Sequence, residues 1–170
     1  TYGLDSGGNP EVIPQLTYKA FKAFHESHYH PSNTRFFFWG DDPEERRFAL
    51  LAPYLSRFTA RETDSAVPLQ PRLDVPRQLE FPYAAGEDGD KGHVALNWLT
   101  CETADTGELL VLEMLEHILL GLPGSPLRKA LIESGLGEDL TGSGLETDLR
   151  QTFFSVGLRS IVPGTAEDVE

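Results

Sequence analysis

Three imidazoles fall within six residues at His25-Glu-Ser-His28-Tyr-His30, and on a helix His25 and His28 could share a face as ligands for a divalent metal. No carboxylate or thiol elsewhere has an evident claim to complete that shell, and histidines in the last turn of a helix offset its dipole. A structural role is expected for them. A second constellation, Glu113-Met-Leu-Glu116-His117, has the spacing of the inverted zinc motif His-x-x-Glu-His. That motif puts two imidazoles on one helix face and holds the glutamate beside the metal-bound water as general base. Here a carboxylate replaces the first imidazole, and the surrounding helix is leucine-rich, so Glu113 and Glu116 are expected on its solvated side. Cys101 sits beside acidic Glu102, a poor setting for an activated thiolate, and no Gly-x-Ser-x-Gly elbow exists for a serine nucleophile. Gly121–Leu127 and Gly142-Ser-Gly144 match neither a phosphate loop nor a dinucleotide fingerprint and read as turns and a helix start.

The elements that would carry these residues follow from periodicity and caps. Thr17 caps a helix over Tyr18–His28, with Phe21, Phe24, His25 and His28 on a packed face. Thr34-Arg-Phe-Phe-Phe-Trp-Gly40 has the composition of a buried strand. Asp42, with Glu45 as reciprocal partner, is expected to cap a helix from Pro43 to about Phe58. From Thr59 to Arg77 prolines and small polar residues replace any apolar period, the mark of a linker. Beyond it, Gln78–Tyr83 and Gly92–Cys101 read as strands around a polar turn at Gly86–Asp90. Leu109, Leu112, Leu115 and Leu119 place a helix over Thr106–Leu120, and Ser125-Pro126 opens another to Ser134. Gln151–Ile161 alternates as a further strand, and Thr165 with Asp168 has the form of a capping box for a final helix. The fold class predicted is α+β, with antiparallel or mixed sheets packed against helices. Its parts are residues 1–60, a Pro-rich linker at 61–76, and a second α+β piece at 77–170.

Composition narrows the partners. The 170 residues carry 14 Lys plus Arg against 27 Asp plus Glu, a net charge of −13, which repels phosphate backbones and anionic membrane surfaces. Nucleic acid and membrane are therefore excluded as expected partners. One cysteine rules out an internal disulfide framework and a Cys-rich zinc cage. The only methionine is Met114, and the helix opening at Thr165 needs more residues than follow it, so the chain reads as a piece of a longer polypeptide.

Tyr2–Pro10, Ile13-Pro, Leu16-Thr17, Phe21-x-x-Phe24-His25, His28–Asn33, Gly40-Asp41 and Ser125-Pro-Leu-Arg-Lys-Ala-Leu-Ile-Glu-Ser-Gly-Leu-Gly137 occur in this order and spacing. Together they resemble the presequence protease branch of the pitrilysin/insulinase metallopeptidases. The resemblance implies a zinc endopeptidase that degrades cleaved targeting peptides and other short unstructured peptides in a closed chamber of the mitochondrial matrix or chloroplast stroma. Residues 1–60 would be the end of its first peptidase-like domain and 77–170 much of a second, non-catalytic one. Zinc would bind outside this segment. The remaining domains of the same polypeptide and peptide substrates would be its partners. Glu113 at the first motif position removes a ligand, so no catalytic or metal-ligating residue is assigned within the chain. The other implied role is that of an inert relative, similar to a processing-peptidase regulatory subunit or a respiratory-complex core protein.

Overall fold

A computed structural model describes residues 7–84, 86 and 91–169. Residues Tyr2–Ser6 of the opening motif, the expected turn at Gly86–Asp90 apart from Gly86, and Glu170 lie outside the described residues. The chain divides into two compact units, Thr1–Pro68 and Leu69–Glu170, and the division falls within the stretch expected to be a linker.

In the first unit α1 spans Tyr18–His28, and Thr17 caps it as expected, its Oγ1 accepting from the Ala20 N–H at 3.2 Å. A 3-10 turn at Pro31–Asn33 follows, then α2 over Glu44–Leu55. Arg61 ties the later chain to the end of α1, donating from its side chain to the Ser27 carbonyl and from its backbone to Ser32 Oγ at 3.1 Å.

Three expectations fail here. Thr34–Gly40 is extended but belongs to no sheet, with Phe37 85% and Trp39 91% exposed. Aromatic composition favours a strand only where a partner strand supplies the ladder, and the described residues of this unit supply none. The face of α1 bearing Phe21 and Phe24 is likewise exposed instead of packed. Asp42 does not cap α2. Pro43 is the N-cap, and the Asp42 carboxylate instead takes two 2.8 Å bonds from the Arg47 guanidinium, whose planar fork competes well for it.

The second unit contains β1 (Gly92–Glu102), α3 (Thr106–Leu120), α4 (Pro126–Glu133), β2 (Asp139–Glu146), β3 (Gln151–Ile161) and the short α5 (Ala166–Val169). Its sheet is antiparallel, in the order β1-β3-β2. The register pairs Val94, Leu96 and Trp98 of β1 with Leu158, Val156 and Phe154 of β3. The α+β assignment therefore holds. Leu158 is fully buried, and Val156, Ile161 and Cys101 complete the apolar core.

The strand β2 was not anticipated. Gly142 and Gly144 read as turn formers, yet they sit inside β2 at φ of 95° and 69°, where the register with β3 shifts between Thr141 and Gly144. A glycine bulge hides a strand from pattern reading because it breaks the two-residue alternation. Gln78–Tyr83, expected as a strand, belongs to no strand ladder. At the far end the Thr165 N–H donates to the Val162 carbonyl and the Asp168 N–H to the Thr165 carbonyl, each at 3.1 Å, so neither bond of the reciprocal capping box forms.

Leu158→Ala is expected to cost about 2–5 kcal/mol, the range for emptying a fully buried leucine site. Gly157→Ala should unpair β1 from β3, because a Cβ there would meet the Ala95 Cα at 2.8 Å and run into the Val94 carbonyl. Urea denaturation of the two variants measures both losses.

Candidate functional site

The helix α3 begins at Asp105, whose Oδ1 accepts from the Glu108 N–H at 3.2 Å. Leu109, Leu112 and Leu119 are half-buried, and Leu112 and Leu119 line a cavity between the helix and the sheet. Glu116 lies on that same stripe, a correction to its expected solvated position, while Glu113 is exposed as expected. The cause is the helical period: Glu116 follows Leu112 by four residues and precedes Leu119 by three, so it shares their face. Buried Gly144 gives it room, since a Cβ there would meet Glu116 Oε1 at 2.6 Å. His117 is exposed, and its backbone carbonyl accepts from the Gly121 N–H at 2.9 Å and from the Ser125 hydroxyl at 3.4 Å. Ser125 Oγ also accepts from the Leu122 N–H at 3.0 Å, so this buried hydroxyl joins the end of α3 to the start of α4.

Zinc of the inverted-motif kind needs two imidazoles one helical turn apart. This helix offers one, with Glu113 directed to solvent and Glu116 towards the sheet. Among the described residues no three His, Cys, Asp or Glu side chains converge to hold a metal ion. The residues present do not fit the group.

The histidines of the first unit are dispersed over separate contacts. His25 stacks on Tyr29 with ring centroids 4.6 Å apart, and His28 stacks on Phe24 at 4.2 Å. His30 meets the edge of Phe58 at 5.3 Å, and its Nδ1 accepts from the Ser32 N–H at 3.2 Å, capping the 3-10 turn. Desolvation, reinforced by the Arg61 charge, lowers the pKa of His30, which favours the neutral ring that this acceptor role requires.

A third locus carries no motif at all. One end of the sheet opens into a polar cleft of about 500 Å³ lined by Tyr83, Lys91, His93, Glu138, Asp139 and Arg159. Lys91 pairs with Glu138, and Arg159 with Asp139 at 2.8 Å. Tyr83 donates from its hydroxyl to the Lys91 carbonyl at 2.7 Å and sets its ring 5.1 Å from that of His93. Ser160 adopts φ of 57°, a strained conformation for a residue with a side chain, and hydrogen-bonds Glu138. Bonds from Lys91 and then Ser160 hold the Glu138 carboxyl below its ordinary value, and the Leu140 N–H and then Arg159 do the same for Asp139. Both carboxylates are matched to cations, so the cleft works as a clamp that closes the sheet. Glu138 and Lys91 lie 47 residues apart, which leaves nothing for sequence spacing to detect.

The family described as the Peptidase M16 inactive domain matches residues 15–169, running through both compact units. Presequence protease 1, chloroplastic/mitochondrial, of Arabidopsis thaliana is 44% identical over all of this chain. The mitochondrial presequence protease of Mus musculus is 40% identical over 95% of it, and protein HypA of Clostridium perfringens 33% over 91%. The chain spans 16% of the length of each of these relatives.

Two outcomes follow from the geometry. Calorimetric titration with zinc should give the same heat for the chain and for its His28→Ala variant, because the three imidazoles are held in unrelated contacts. The lowered carboxyl values of Glu138 and Asp139 mean that the clamp contributes fully above their ordinary values of 4.5 and 3.8 and is lost as pH falls through the folded ones. Thermal midpoints recorded from pH 6 down to pH 2 should therefore fall less steeply for Asp139→Asn than for the unaltered chain.

Proposed function

Since this chain belongs to the M16 peptidase family, we propose that it is wall and scaffold of a zinc endopeptidase that degrades cleaved targeting peptides and other short unstructured peptides. The zinc and the catalytic residues lie outside the segment. In this reading residues 1–60 end the first peptidase-like domain, 61–76 link, and 77–170 belong to the second, non-catalytic domain. No residue of the segment is catalytic. The observation that carries the reading is the state of α3: it has the spacing of the inverted zinc motif but sends Glu113 to solvent and Glu116 towards the sheet. A duplicated domain relieved of catalysis keeps the helix, because the helix covers the sheet, and is free to lose the ligand.

The organelle is a mitochondrion or chloroplast, by likeness to the Arabidopsis thaliana and Mus musculus relatives. The net charge of −13 suits this role, since an acidic surface steers cationic peptides inward. The partners are those peptides and the remaining domains of the same polypeptide.

Incubated with a labelled presequence peptide, the full-length protein is expected to cleave it in a chelator-sensitive way, whereas the 170 residues alone leave it intact. Cleavage by the isolated segment would overturn the scaffold assignment. Absence of cleavage by the full-length protein would overturn the peptidase assignment in favour of an inert relative.

A further inference from the structure

The face of α3 that covers the sheet is incompletely filled. A cavity of about 190 Å³ remains between α3 and the sheet, walled by Leu112, Leu119, Leu145 and Phe154, with Thr100 beside them. Among the described residues Glu116 is the one charged side chain lining it. Among the described residues no hydrogen bond or ion pair reaches the Glu116 carboxylate, although every carboxylate of the clamp at the end of the sheet has its cation. A carboxylate set beside apolar walls offers a cationic group with an apolar stem contacts of both kinds. The chain also maintains the space. Gly144 is buried at φ of 69°, and any Cβ there would displace Glu116 Oε1; Gly142, at φ of 95°, keeps the adjacent turn of β2 against Ser155.

We infer that this cavity is a binding pocket for an arginine side chain of an extended peptide. Three methylenes lie along the leucine and phenylalanine walls, and the guanidinium meets the Glu116 carboxylate. The chemistry of the pocket selects such an occupant. An apolar stem ending in a planar, always charged fork fits leucine walls closed by one carboxylate. A purely aliphatic side chain would leave the carboxylate unpaired, and an acidic one would be repelled by it. That a peptide carries the arginine rests on the function proposed above, whereas the match of pocket to side chain does not.

The test uses the 170-residue chain and a nine-residue peptide of Ala, Gly and Ser around a single central Arg, with a second peptide in which citrulline replaces it. Carbon–proton methyl spectra are followed during titration. The expected result is perturbation of the Leu112, Leu119 and Leu145 methyls by the arginine peptide. Its Kd should rise about tenfold, the equivalent of one charge-assisted hydrogen bond, either with citrulline or with Glu116→Gln, and no further when both changes are combined. The citrulline peptide leaves the protein untouched, so the result does not depend on how well the variant folds. Shifts absent at millimolar peptide, equal shifts from both peptides, or additive losses would each overturn the assignment. These spectra do not involve cleavage, so a full-length protein that fails to cut peptides would count against the proposed function and leave this result standing.

Discussion

Everything in the second unit depends on how closely β3 is approached from both sides. On one flank Val94 and Ala95 of β1 press against Gly157, and on the other Gly142 of β2 lies where a Cβ would meet the Ser155 carbonyl carbon at 2.7 Å. Both contacts require the absence of a side chain. Once β3 is gripped in this way, its apolar residues Val156 and Leu158 are buried, and the fully buried Thr152 hydroxyl satisfies itself on the Cys101 carbonyl at 3.0 Å. The single cysteine is thus a core residue at the end of β1.

The same grip decides what α3 can do. The helix is apolar nearly all round, with Leu110, Val111, Met114 and Ile118 exposed on its outer side and Leu112 and Leu119 towards the sheet. What it turns to the sheet is a half-buried stripe of Leu109, Leu112, Glu116 and Leu119. With a carboxylate at position 113 and one imidazole at 117, its residues have the spacing of a zinc motif without the donor set, and the glutamate that would activate water lies instead beside the glycine bulge of β2.

The first unit has a different character. It holds together through polar contacts such as the Arg47 fork on Asp42 and the Arg61 bonds to the end of α1, while Phe21, Phe24, Phe37 and Trp39 remain exposed. That much aromatic surface is more than a free-standing unit usually shows to water. The chain as a whole spans 16% of the length of its Arabidopsis thaliana relative.

Local signals were legible wherever neighbours in sequence settle the outcome. The Thr17 cap, the leucine spacing of α3 and the Ser125-Pro126 helix start follow from residues a few positions apart, the strands β1 and β3 show in the pattern of their own residues although their pairing is distant, and the resemblance to a peptidase family rests on such short motifs. What pattern could not reach was set by distant partners. The stretch Thr34–Gly40 has strand composition but no strand beside it, and β2 has strand pairing but a turn's glycines. Glu116 was turned inward by the room that Gly144, far along the chain, leaves for it. Composition and spacing by themselves determined an acidic chain of α+β class. Only tertiary structure decided which carboxylates meet cations and which one faces an empty pocket, because charge pairing and burial depend on distance in space, and the sequence specifies distance only along the chain.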